Sequence, residues 1–412
     1  MIDLSKNATC GIRNRFFLNP FYLFGTIWAL SCLGYTQSLF SIYPSIDPDN
    51  FFFFAILVCI SFLLGLVFDR CVLKKLNLSF ALTYFAKPPV YLFFLCLLFV
   101  AVGFAINKSF PVVNVLAGNI HSYGKFEIPY FNTFYVSLFV ILNLRASLCF
   151  VYGQKKYRGF CLAMIAFVYF YFLLLYSRGM VLYCLVSSVL AFVSKIKLTP
   201  FRVILIVIAA VFTAYIFSGL GNLRNGSAWS DSSVVMSLSA MRDDSSYLSP
   251  FAGAISYAET PLGNLLYNIP RAQELTLEKA LYILLPDFVS KRLFPDIALT
   301  MSLPSPALTV GTMFAQSAVA GGLAGILLQF GEMCILFFLL PWLTKKKPDI
   351  SLMITLNLSA ISVFSVFDNL LLLWGFSFSI VLLFAVSFFY HPRNKIKEVY
   401  SIYGLLCSNG TI

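Results

Sequence analysis

Residues 90–106 read VYLFFLCLLFVAVGFAI. No side chain in this run carries a charge, and at ~1.5 Å per residue it makes a helix about 25 Å long, close to the roughly 30 Å of bilayer hydrocarbon. The run has no polar face to turn toward water, so lipid is its solvent. Working outward, comparable windows recur near 21–43, 51–68, 133–152, 160–176, 180–194, 203–219, 322–343, 350–367 and 370–390. The composition agrees: 60% of residues are apolar and 11% are charged, where a soluble domain carries about a quarter charged residues. The pattern predicts an all-α polytopic integral membrane protein with about ten transmembrane helices, forming one membrane domain over 1–412.

The first twenty residues are polar, and no short apolar core with a small-residue cleavage site follows them, so the first span is expected to be retained. Most of the ten cysteines fall inside spans and read as small apolar fillers. The net charge of +12 would suggest nucleic acid for a soluble protein, but its distribution follows topology. With the N-terminus in the cytoplasm, the clusters at Lys6/Arg13/Arg15, Arg70/Lys74/Lys75/Lys87, Lys155/Lys156/Arg158, Lys195/Lys197/Arg202, Lys345/Lys346/Lys347 and Arg393/Lys395/Lys397 all fall inside. They hold 19 of the 29 basic residues, as the positive-inside rule expects. No nucleic-acid partner is implied, and both termini are expected in the cytoplasm.

One outward segment dominates the rest, from Leu220 to Ser305, between the seventh and eighth spans. Connections of this length carry function more often than short ones do. It is too apolar for a disordered linker. Periodic apolar positions between Pro250 and Pro270, and between Leu275 and Pro286, predict short amphipathic helices bounded by prolines and lying on the membrane surface. After it, Pro306–Phe330 is rich in Gly and Ala. Gly321-x-x-x-Gly325 fits close helix packing, and a re-entrant or interfacial lead-in to the next span is the alternative.

Arginine at membrane depth costs about 2.5–3.5 kcal/mol on insertion scales, so each one needs a partner or a purpose. Arg178, in Tyr176-Ser177-Arg178-Gly179, joins two spans through almost no connection. It either snorkels to headgroups or offers a fixed fork suited to a diphosphate. Arg224, in Gly219-Leu220-Gly221-Asn222-Leu223-Arg224, emerges where the seventh span meets the long segment; its glycines allow close approach to a ligand or merely end the helix. Arg145, inside the fourth span, reads as serving a neighbouring span's polar group or reaching the cytoplasmic side. Arg242-Asp243-Asp244 sets a cation beside two carboxylates, with solvated charge as the competing reading. Glu259 precedes a proline that stiffens a turn and could serve as a base, while Arg271 adds a further outward cation.

The absences are sharper than these candidates. His121 and His391 are the sole histidines, so the long segment holds neither a His-rich metal site nor the histidine of a Ser-His-Asp triad. Walker A, GxGxxG and CxxC motifs are missing, which argues against an ATP-driven pump. An activated substrate or an ion gradient must supply the driving force.

In layout and at four places the chain resembles the Wzy-type polymerases of O-antigen and related oligosaccharide repeat units. The places are the Ser177-Arg178-Gly179 hairpin, the Gly-x-x-Arg exit ending at Arg224, Tyr257-x-x-x-Pro261-Leu262-x-Asn264, and the small-residue stretch Ala307–Gly331 ending in Phe330-Gly331-Glu332. The resemblance implies transfer of a growing glycan from undecaprenyl diphosphate onto the next lipid-linked unit, at the periplasmic face of the bacterial inner membrane. No cofactor is expected. The implied partners are the lipid-linked donor and acceptor, with a chain-length regulator and a flippase in the same membrane. On this reading Arg178 and Arg224 clamp the diphosphate with Arg242 and Arg271 as further cations, and Glu259 or Asp244 is the base. O-antigen ligases share the layout but rely as a family on a histidine in their large periplasmic loop, and this loop has none. A lipid-linked oligosaccharide flippase or transporter is the non-enzyme alternative.

Overall fold

A computed structural model describes residues 14–76, 85, 87–116, 131–224, 227–242, 248–306 and 308–389. Its main helices are α1 (Pro20–Tyr35), α2 (Pro48–Cys71), α3 (Val90–Asn107), α4 (Asn132–Tyr152), α5 (Arg158–Leu174), α6 (Arg178–Lys195) and α7 (Pro200–Arg224). They continue as α8 (Ser233–Ser239), α9 (Ala252–Asn268), α10 (Leu277–Leu284), α11 (Asp287–Leu293), α12 (Ala315–Leu343), α13 (Pro348–Phe364) and α14 (Trp374–Phe389). Among the described residues the one strand-like pairing is an isolated bridge between Phe40 and Met241. Helices α2 to α7 and α12 are long and apolar enough to cross a membrane, while α13 and α14 are apolar but shorter.

The helix starts follow from local chemistry. Asn19 caps α1 by accepting from the backbone N–H of Phe21 and Tyr22, with Pro20 in the first turn. Asp47 does the same for α2 through Asn50, with Pro48 next to it. Helices α4 and α13 form the centre: every residue of α13 from Pro348 to Ser362 is buried, as is most of α4. Water is excluded there, so interior polar groups bond between helices. Asn143 donates to Ser187 Oγ at 2.9 Å, Tyr183 donates to Asn357 Oδ1, Asn357 donates to Ser379 Oγ at 2.8 Å, and Trp28 donates to Ser365 Oγ at 2.9 Å. Each such bond contributes about 0.6 kcal/mol on average in a membrane bundle, so it fixes register more than it adds stability. The charge of Arg145 acts on Asp349, which is 1% exposed at the start of α13. That attraction fits the reading of Arg145 as serving a neighbouring helix.

The long connection departs from expectation in four ways. Helix α7 runs on through Arg224, so the stretch beginning at Leu220 opens with a helical turn, and its far end lies beyond Ser305, where α12 does not begin until Ala315. Asn222 lies inside the fold, where its amide nitrogen donates to the Trp229 carbonyl at 3.0 Å and to Ser232 Oγ. Second, the Glu259-Thr260-Pro261 stretch is not a turn: Pro261 sits inside α9, at the cost of the one backbone bond its missing N–H would have made. Third, α9 does not lie on a surface. Most of its residues are buried, and it packs against α1, α7 and α12. Helix α10 is the amphipathic one, with Tyr282 and Ile283 buried and Leu277 76% exposed.

The fourth departure concerns the glycine-rich stretch. Within α12 the backbone breaks at Gly321 and Gly322, and Gly322 has φ +58° and ψ −137°, a conformation suited to glycine. The arm Ala315–Ala320 thereby folds back on the start of the long helix. A Cβ on Gly325 would stand 2.1 Å from the Ser317 carbonyl oxygen, and one on Gly321 would meet Leu275 at 2.7 Å. Ser317 Oγ bonds Gln329 Oε1 across this reversal. The small residues serve close packing of the chain on itself and on the long connection, instead of a face for a separate helix.

Candidate functional site

Helix α5 ends in a backbone arrangement that delivers Arg178 directly into α6. Ser177 N–H reaches the Phe172 carbonyl at 2.9 Å and Tyr176 N–H reaches Leu173 at 2.9 Å, the paired bonds of a Schellman ending. Its left-handed position, usually glycine, is filled by Tyr176 at φ +57°. A residue with a Cβ there is strained by about 1–3 kcal/mol. The tight hairpin leaves Arg178 as the first residue of α6.

The Arg178 side chain crosses to α7 and α9. Its guanidinium carbon lies 4.9 Å from the Phe217 ring centroid and 5.8 Å from that of Tyr257. Those two rings meet edge to face at 4.8 Å. One guanidinium nitrogen, Nη1, is only 3.3 Å from where a Gly221 Cβ would stand. That nitrogen is buried and has no hydrogen-bond acceptor. Leaving a buried donor unmet costs about 1–3 kcal/mol, and more for a charged group, so this nitrogen has unused hydrogen-bonding capacity. The rings supply cation–π attraction while keeping water from the cation.

Arg224 follows Gly221 by three residues on α7, the spacing that puts two positions on one helical face. Its backbone therefore stands one turn beyond the Arg178 contact, and its side chain is not among those described. Arg242 is exposed beside the Phe40–Met241 bridge, where its N–H bonds the Leu39 carbonyl at 3.0 Å. Arg271 folds onto its own turn, stacking 3.7 Å above the Tyr267 ring and donating to the Tyr267 carbonyl at 2.7 Å. Asp244 lies outside the described residues.

Glu259 sits two positions after Tyr257 on α9, about 200° around the helix, so it faces away from Arg178. It is 7% exposed and acts electrostatically on Tyr35 of α1. Beside it, Thr260 lies against Tyr43 and 3.3 Å from Ser256 Oγ, and the Tyr43 ring presses on Gly263 at 2.5 Å from its would-be Cβ. Burial pushes the Glu259 carboxyl up to about 7, because the low-dielectric surroundings disfavour its charged form. The arrangement thus has two stations flanking α9, an aromatic-lined cation on one side and a carboxyl among hydroxyls on the other.

The sign of the Glu259 shift gives a prediction. Its native carboxyl holds a proton that the unfolded chain has already released above the ordinary glutamate range, so stability falls as pH rises from there through about 7. The melting temperature of the wild-type protein is expected to drop between about pH 5 and pH 8 by more than that of Glu259→Gln. Equal slopes for the two proteins would contradict this assignment.

Phe217, Tyr35 and Tyr43 carry no site reading in the sequence, whereas Gly221 is among the glycines that allow close approach to a ligand and Tyr257 opens one of the motifs of resemblance. A usable signal existed for Phe217, which recurs with Gly221 and Arg224 at helical spacing on α7. Set against family models, curated proteins and solved structures, the chain matches none.

Proposed function

We propose that the chain polymerises undecaprenyl-diphosphate-linked oligosaccharide repeat units by glycosyl transfer at the periplasmic face of the bacterial inner membrane. In this reading α1, α13 and α14 also cross the bilayer, giving ten spans with both termini in the cytoplasm, and the connection between α7 and α12 faces outward. The observation that carries the reading is the buried Arg178 nitrogen without an acceptor, held between Phe217 and Tyr257 against Gly221. A diphosphate supplies the oxygens this donor lacks, and it is also the leaving group of an activated sugar, so no ATP is needed.

The chemistry then divides among the residues. Arg178, with Arg224 one turn further along α7, neutralises charge on the departing diphosphate. The proton of the attacking hydroxyl goes to Glu259 or Asp244. Glu259 lies across α9 from Arg178, so as the base it takes that proton through a relay and not by direct contact with the hydroxyl. Arg242 and Arg271 serve the outward surface.

A lipid-linked oligosaccharide flippase or transporter is the second reading, and Glu332 favours it. This carboxylate lies within α12 and its Oε2 is buried without a hydrogen-bond partner, and intramembrane acids commonly mark transport paths. The surface glycan of a strain lacking the gene separates the two. Lipid A–core carrying a single repeat unit is the expected result. Complete loss of attached units would instead indicate a flippase or a ligase.

A further inference from the structure

Glu259 is buried to 7% exposure, yet among the described residues no hydrogen bond or ion pair reaches its carboxyl and no second charge acts on it. What surrounds it is oxygen. Ser256, Glu259, Thr260 and Gly263 recur at helical spacing and share one face of α9. The hydroxyls of Ser256 and Thr260 lie 3.3 Å apart, in side chains that are 2% and 1% exposed. Opposite them, the Tyr43 ring takes the space that a side chain at Gly263 would fill. This brings the Tyr43 hydroxyl against Thr260, where it is buried without a well-formed hydrogen bond. Tyr35 stands beside the carboxyl, but it donates its proton to the Pro44 carbonyl at 2.7 Å, so that proton is not available to Glu259. The connection carrying Tyr43 is held in place by the bridge from Phe40 to Met241.

We propose that Ser256, Glu259 and Thr260 of α9, with Tyr43 opposite, form a binding site for a sodium ion. A buried carboxylate is stable only when paired or bound to a metal, and carboxylate and hydroxyl oxygens are the ligands of hard cations. The charge of the site sets the valence. One carboxylate neutralises one positive charge, and the described residues contain no group of three or more His, Cys, Asp or Glu side chains. A divalent ion would therefore leave net charge in low-dielectric surroundings. A small monovalent ion suits the close packing of Tyr43 on Gly263. Bound there, it fastens α9 to the connection that follows α1. The inference uses neither Arg178 nor glycosyl transfer. An ion and a proton exclude each other on one carboxylate, so a proton relay through Glu259 runs only once the ion has left.

The test measures binding of radioactive sodium to the purified full chain in detergent, in a buffer alkaline enough to ionise Glu259. Thermal unfolding is followed alongside in sodium chloride and in N-methylglucamine chloride at equal ionic strength. The wild type is expected to bind sodium saturably and to melt about 3 °C higher in saturating sodium than in N-methylglucamine. Glu259→Gln is expected to bind none and to melt alike in the two salts. Thr260→Val keeps the shape of the side chain and removes one oxygen; it is expected to weaken sodium binding about tenfold, a change of ~1.4 kcal/mol. Melting in N-methylglucamine reports whether each variant is folded, and Thr260→Val decides the matter if Glu259→Gln is not. A wild type that binds no sodium overturns the site. So does sodium binding that survives in Glu259→Gln, or that is unchanged in Thr260→Val.

Discussion

Under the proposed polymerase function, Arg178→Lys is expected to reduce polymer formation about a hundredfold, the scale seen when one preorganised charge-stabilising donor is lost from a reaction centre. The substitution keeps the charge, so surface electrostatics alone predict little change. The geometry predicts otherwise. The guanidinium is within cation–π range of two rings, Phe217 and Tyr257, and presents Nη1 beside Gly221 without an acceptor. An ammonium is a compact, strongly hydrated point charge without the planar fork that reads two phosphate oxygens together. Lysine in this apolar setting also sheds its proton more readily. The measurement is the ladder of surface glycan lengths in a strain carrying the variant at wild-type abundance. A full-length ladder would remove Arg178 from the chemistry and leave it as a packing residue.

Gly325→Ala is expected to destabilise the protein by about 2–3 kcal/mol, in the range of overpacking a filled interior. The added methyl would stand 2.1 Å from the Ser317 carbonyl oxygen, and this obstacle is backbone. The arm carrying Ser317 cannot simply retreat: Val319 O accepts from Gln273 N–H at 2.9 Å, and Ser317 bonds Gln329. Gly331→Ala is the matched control in the same helix, with open space around its would-be Cβ. Alanine there gains helix propensity of up to about 1 kcal/mol. Thermal unfolding in detergent compares the pair directly. If Gly325→Ala melts together with Gly331→Ala, the fold-back of Ala315–Ala320 is wrong.

Most of the helical framework was legible because a long uncharged run has few alternatives in lipid. The windows at 90–106 and 133–152 became Val90–Asn107 and Asn132–Tyr152 with little change at either end. The long connection was harder to read. In α9, Asn264 and Asn268 look like surface residues, yet Asn264 donates to the Leu308 and Val310 carbonyls at 2.8 Å, and Asn268 donates to the Ser302 carbonyl at 2.9 Å. Their polarity is spent on irregular backbone far along the chain, and such pairing leaves no local periodicity. The reversal at Gly321-Gly322 escaped for a related reason, since small residues at that spacing suit a helix contact and a hairpin equally well. At the candidate site the tight hairpin that carries Arg178 was visible from its flanking spans. Its aromatic neighbours come from two other helices and could not be read from its own surroundings.

Helix α9 has a mechanical consequence of its own. Tyr257 and Glu259 project from nearly opposite flanks of one rod, so a twist of that rod carries the Arg178 neighbour one way and the carboxyl the other. Sliding along the axis moves both together, by ~1.5 Å per residue of displacement. The two stations are therefore geared: a substitution that re-seats α9 against α1 or α7 retunes both sides at once.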